Sequence, residues 1–172
     1  MKYFLLAIAI VALAIWFLGR RRGGPTRSAG TSRRSALATR APYPGDFLGA
    51  VDVKYAPRPD GRPDPGEIVW TWVPFQEDHT HGKDRPVLLI GHDGRWLLAL
   101  MLTSKDHVAT RSPGDHYLDI GTGAWDNHAR PSEVKLDRIV RVDPAAIRRE
   151  GSILPKSAFE EVRRSLYALH HW

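Results

Sequence analysis

The stretch from Pro65 to Ser104 constrains this chain most. Glu67-Ile68-Val69-Trp70-Thr71-Trp72-Val73 is rich in β-branched and aromatic residues, which suits a pleated, half-buried surface. Pro74 offers no amide hydrogen to a ladder, so it can stand only at that strand's end or on an edge. Pro86 to Ile90 is a second apolar run, Asp93-Gly94 is a strong hairpin signal, and Arg95 to Leu102 is the returning strand. A polar, turn-like loop from Gln76 to Asp84 separates the first strand from the second. Arg85 ends that loop, and Thr103 and Ser104 end the third strand, so the topology is expected to bring an arginine to a pair of hydroxyls. A guanidinium fork beside hydroxyl donors suits a phosphate.

The rest of the chain is read around this unit. Lys105 to Ala129 is a long polar excursion with Pro113-Gly114 and Gly121-Thr122-Gly123, and loops of that length are usually functional or mobile. Ser132 to Val142 carries alternating apolar residues (Val134, Leu136, Ile139, Val140 and Val142) and predicts one or two strands. Asp143-Pro144 predicts a short helix through Arg149, with the aspartate as cap and the proline in the first turn. Pro155 to His170 predicts a final helix with Phe159, Val162, Leu166 and Leu169 on one face.

Charge separates the chain into parts. Residues 1–45 carry Lys2 and seven arginines without an acid, a sum of +8 within a net charge of +6. The remainder therefore holds 17 basic against 19 acidic side chains, a balance of −2. The basic composition reports the N-terminal tail, not a basic nucleic-acid-binding domain. Tyr3 to Leu18 is an unbroken apolar run ended by Gly19 and Arg20-Arg21-Arg22. As a helix it would reach about 24 Å, the short end of a membrane span, and Lys2 and Arg20 can snorkel to extend it. Arginines directly after the run oppose cleavage as a signal peptide. The positive flank predicts a single-pass anchor in the cell membrane with the following domain facing the cytoplasm. The expected organisation is an anchor over 1–22, a flexible Arg/Pro/Gly/Ser-rich linker over 23–64 and a folded domain over 65–172, with Phe47, Leu48, Val51, Val53 and Tyr55 as a segment able to pack on it. The absence of cysteine excludes disulfides, thiolate metal sites and a cysteine nucleophile.

Gly66-Glu67-Ile68-Val69-Trp70, Arg85-Pro86-Val87-Leu88-Leu89-Ile90, Leu102-Thr103-Ser104 and Val134-Lys135-Leu136-Asp137-Arg138-Ile139-Val140-Arg141-Val142-Asp143 occur in an order that resembles the PemK/MazF (Kid-like) family of type II toxin–antitoxin ribonucleases. The resemblance covers roughly residues 65–170. It implies a mainly β fold, a small SH3-like barrel with a C-terminal helix, acting as a homodimer. It implies metal-independent cleavage of single-stranded RNA by attack of a ribose 2′-OH, with no cofactor and with an antitoxin as protein partner. DNA binding in this family is a property of the complex with the antitoxin. That chemistry needs a base, a cation for the phosphorane and an acid for the leaving oxygen. By resemblance Arg85 is the phosphate clamp, Thr103 the hydroxyl, Asp137 the base and Lys135 a cation where relatives carry arginine.

Ser104, His79 and His81 are expected to contact substrate. With Glu77 and Asp78, the two histidines read as a solvated loop in preference to a metal site. Trp70, Trp72, Trp96 and Trp125 could stack bases, but in strands such residues are more often core or interface. A second reading, motivated by Lys135, the acidic loop and the tether, is a catalytically inactive SH3-like binding module on the membrane.

Overall fold

A computed structural model of the chain describes residues 42–107 and 116–172, with the side chains of 149–151 left aside. The expected anchor and the first part of the expected linker lie outside the described residues. Among those described, no helix is long and apolar enough to cross a membrane. Residues 42–172 form one compact unit.

Six strands make one antiparallel sheet: β1 (Glu67–Pro74), β2 (Gly82–Asp93), β3 (Trp96–Thr103), β4 (Tyr117–Gly121), β5 (Ser132–Val142) and β6 (Ile147–Ile153). They lie in the order β4-β5-β3-β2-β1-β6, so β4 and β6 are edges and no ladder joins them. The expected barrel is thus not closed by hydrogen bonds among the described residues. As expected, β1 ends at Pro74, and β2 turns into β3 through Gly94, whose φ of 58° is the left-handed conformation that a tight hairpin requires.

Both faces of the sheet are buried. Ile68, Leu88, Ile90, Leu98, Leu100, Leu102, Val134 and Leu136 pack on one face with Phe159, Val162 and Leu166 of helix α1 (Lys156–His170). Val69, Val73, Val87, Leu89, Leu97, Ala99, Val140 and Val142 form a second cluster on the other. Each fully buried side chain of this size stabilises the fold by about 1.5–3 kcal/mol relative to exposure. The helix places Phe159, Val162 and Leu166 at three- and four-residue spacing, as the sequence predicts, and ends at His171 in the left-handed conformation.

Three expectations need correction. The linker over 23–64 does not extend to 64: residues 42–64 belong to the compact unit, with Val51 and Val53 buried in the helix-side core. Tyr55 donates to the carbonyl of Leu154, and the Phe47 amide donates to that of Ile139. Gly66 makes this packing possible: its φ is 103°, and a Cβ there would lie 2.8 Å from the Tyr55 ring. Second, the helix expected through Arg149 is a 3-10 turn over Pro144–Ala146, capped by Asp143 as predicted, followed by β6. β6 pairs with β1 through two register shifts, and edge strands tolerate charged residues such as those of Ile147-Arg-Arg-Glu-Gly. Third, the 105–129 excursion contains β4, a second edge strand.

Candidate functional site

The β2–β3 ladder pairs Val87 with Met101, and the same register continued two residues sets Arg85 opposite Thr103. Side chains alternate along a strand. Arg85 therefore projects to the side of Val87, and Thr103 to the side of Met101. Where the ladder ends the strands part, and a cleft of about 280 Å³ opens there. Arg85, Thr103 and Ser104 line it together with Trp70, Trp125 and Arg130, so the meeting expected from sequence occurs.

The cleft's charges are unequally committed. Asp84, the obvious surface partner for Arg85, instead binds Arg148 at 2.6 Å. Arg130 is paired with Asp126 at 2.8 Å. The Asp126 carboxyl is held below its usual range, first by the backbone amide of His128 and then by Arg130. Among the described residues, the Arg85 guanidinium has no hydrogen-bond or ion-pair partner, although the residue is only half-exposed. Thr103 Oγ1 accepts the Lys105 amide at 3.1 Å, a local turn bond that leaves its hydroxyl hydrogen to donate. The tryptophans serve as walls: Trp125 is 3 % exposed and donates to Ser132 Oγ, while Trp70 Nε1 donates to the Trp125 carbonyl at 3.1 Å.

Lys135 and Asp137 do not line this cleft. They bind each other at 2.7 Å, and the lysine lies 5.4 Å from the centre of the Tyr117 ring. The strand is distorted there: Leu100 pairs with Ile139 but Leu102 with Val134, so four residues of β5 bulge opposite Met101. A neighbouring group went unseen in the sequence. Glu133, directly across from Thr103, receives both the backbone amide of His107 (3.3 Å) and its Nδ1 (2.7 Å). The His107 ring stacks on Tyr117 at 3.8 Å. Twenty-six residues separate His107 from Glu133, and only the strand pairing joins them.

The loop histidines are elsewhere as well. His81 Nδ1 lies 2.7 Å from Asp78, whose carboxyl is lowered to about 2 by hydrogen bonds from Thr80 first and His81 second. His79 meets the Tyr43 ring edge-on at 4.9 Å. Tyr43 belongs to a closed polar clamp in which Arg138 binds Asp46 through two nitrogens (2.7 and 3.1 Å). In the same clamp Arg141 binds Asp93 and the carbonyls of Gly45 and Asp46. Burial acts to raise the Asp46 carboxyl, but hydrogen bonds from Arg138 and Tyr43 outweigh it and the net shift is downward. The Tyr43 hydroxyl is shifted upward, chiefly by burial and next by its bond to Asp46.

Residues 64–170 match the family model described as PemK-like, MazF-like toxin of type II toxin-antitoxin system. Among solved structures, MazF (Form-I) from Deinococcus radiodurans is 23% identical, with 66% of this chain and 100% of that chain covered at a TM-score of 0.47. A MazE–MazF structure (Form-II) from the same organism is 20% identical, covering 64% of this chain and 96% of that one at a TM-score of 0.45. An endoribonuclease in complex with its cognate antitoxin from a mycobacterial species is 13% identical, covering 62% and 92% at 0.46. No curated protein matches the chain.

Proposed function

The chain belongs to the PemK-like, MazF-like toxin family of type II toxin–antitoxin systems, and from that footing we propose that it is an endoribonuclease cleaving single-stranded RNA without a metal. The observation that carries this reading is the uncommitted guanidinium of Arg85 in one cleft with Thr103 and Ser104. In the proposed reaction the ribose 2′-oxygen bonds to the adjacent phosphorus and the bond to the 5′-oxygen breaks. The products are a 2′,3′-cyclic phosphate and a 5′-hydroxyl. Negative charge grows on the equatorial oxygens as the phosphorane forms. The Arg85 guanidinium, in a cleft walled by Trp70 and Trp125, stabilises that charge. Thr103 and Ser104 donate to the remaining phosphate oxygen.

Purified full-length chain incubated with single-stranded RNA in chelator-containing buffer tests this reading. Cleavage leaving cyclic phosphate ends, and lost in Arg85→Ala, is expected. A folded protein that leaves RNA intact overturns the enzyme and favours an inactive binding module. Family membership also supports an antitoxin as partner, to be tested by co-purification with the product of a neighbouring reading frame. The apolar run and arginine flank of residues 3–22 support tethering to the cytoplasmic side of a membrane. Fractionation of the full chain against one starting after residue 22 tests the tether.

A further inference from the structure

Cleavage through a 2′-OH needs a base, and neither Arg85 nor Thr103 can take a proton at neutral pH. Asp137, the carboxylate that sequence resemblance offers, is neutralised by Lys135 at 2.7 Å. We propose that His107, oriented by Glu133, is the general base of this site. The inference rests on the ribonuclease reading above and adds to it a residue that family resemblance does not supply.

His107 and Glu133 lie beside the cleft lining, joined to it through Thr103. Thr103, on the cleft wall, pairs across the ladder with Glu133, and Glu133 holds His107 at two points. A carboxylate can only accept hydrogen bonds, so the 2.7 Å contact with Nδ1 places the ring hydrogen on that nitrogen. Nε2 then carries the lone pair. Among the described residues Nε2 has no partner, while stacking on Tyr117 fixes the plane of the ring. A histidine whose one nitrogen is anchored by a carboxylate and whose other is available is the arrangement that general-base catalysis uses. The side chains of His107 and Glu133 are 16 and 9 % exposed, enough to meet a bound ribose at the ring edge while the carboxylate stays shielded.

In the step, the 2′-oxygen forms its bond to phosphorus as its proton passes to Nε2. The P–O5′ bond breaks, and the departing 5′-oxygen takes a proton from water. The imidazolium, stabilised by the Glu133 carboxylate, then returns its proton to solvent. Among the described residues, the charged and titratable groups near the ring are Glu133 and Lys135 on β5 and Tyr117 on β4, with Lys105 and Asp106 preceding it in the chain.

The competing account is that Glu133 and His107 only staple the turn after β3 to β5. His107→Asn separates the two, because the Asn amide can still donate to Glu133 but nothing replaces Nε2. The expected result is a cleavage rate reduced about 10²–10⁴-fold, with the thermal midpoint retained and partial rescue by added imidazole. A wild type that cleaves RNA while His107→Asn cleaves at a similar rate overturns this inference and leaves the ribonuclease reading standing. A folded wild type that does not cleave overturns both. Should the Asn variant fail to fold, His107→Gln decides by the same comparison of rates: cleavage at a similar rate to wild type overturns the assignment.

Discussion

Arg138 and Arg85 are the same side chain put to opposite ends. Arg138 is 6 % exposed and grips Asp46 with two nitrogens, closing the segment around Phe47 onto β5. Arg85 stands half-exposed in a cleft and binds nothing among the described residues. A buried guanidinium without an anion would be intolerable, so the fold supplies one from its own chain. An arginine left unsatisfied at a cavity is instead ready for an anion from outside. The difference also marks out the cleft as a site, since Asp84, Asp126 and Arg130 there are already paired, while Lys83 lies over the Phe75 ring at 5.8 Å.

The sharpest way to break this comparison is to remove each partner. Asp46→Ala leaves Arg138 buried and unpaired, and breaking such a pair costs about 3–5 kcal/mol. Urea unfolding should show that loss, and a variant within 0.5 kcal/mol of wild type (about the noise of a surface substitution) would mean that the clamp is not structural. Arg85→Ala should behave in reverse. Its stability should stay within about 0.5 kcal/mol of wild type, while RNA cleavage falls about 10²–10³-fold, the usual cost of one transition-state donor. Arg85→Lys keeps the charge without the fork and should fall between the two in rate.

Acid offers a gentler probe of the same contrast. The Asp46 carboxyl is held below its ordinary value in the folded chain by Arg138 and Tyr43, against the opposing effect of burial. Asp64 is lowered as well, chiefly by its bond from Arg58. A depressed folded value contributes stability that is present above the unfolded carboxylate range, about 3.9, and is lost as pH falls through the folded value. Stability should therefore decline below about pH 4, and the decline should be shallower in Asp46→Asn. An equally steep loss in that variant would remove Asp46 from the account.

How much of this could be read from sequence follows the same division between local and distant partners. β1, the β2–β3 hairpin, β5 and the final helix are visible because their apolar residues repeat with a strand's or a helix's own period. Arg85 and Thr103 could be brought together from strand and loop order alone. The edge strands β4 and β6 were hidden: Tyr117–Gly121 is short, and Ile147–Ile153 is charged, as an edge exposed to water permits. The clamp spans 92 residues from Asp46 to Arg138, and His107 reaches Glu133 across 26, so no local pattern announces either. Lys135 and Asp137 show the converse. Their two-residue spacing correctly put them on one strand face, but that same closeness lets them neutralise each other.

That pair provides the smallest and most discriminating test. Lys135 and Asp137 are 23 and 34 % exposed in their side chains, and an ion pair so placed is worth about 0.5 kcal/mol. A double-mutant cycle of Lys135→Ala and Asp137→Ala should return a coupling of that size, shrinking as salt is raised. On cleavage, Asp137→Asn should cost less than about tenfold, against the 10²–10⁴-fold expected for loss of a general base. The comparison with His107→Asn then has a definite sign. If Asp137→Asn is the more damaging of the two, the carboxylate must break from Lys135 when RNA binds, and the base belongs to the bulge of β5. If His107→Asn is the more damaging, a committed ion pair has no share in the proton transfer. Arg85 in the cleft and His107 held by Glu133 beside it then divide the chemistry between them.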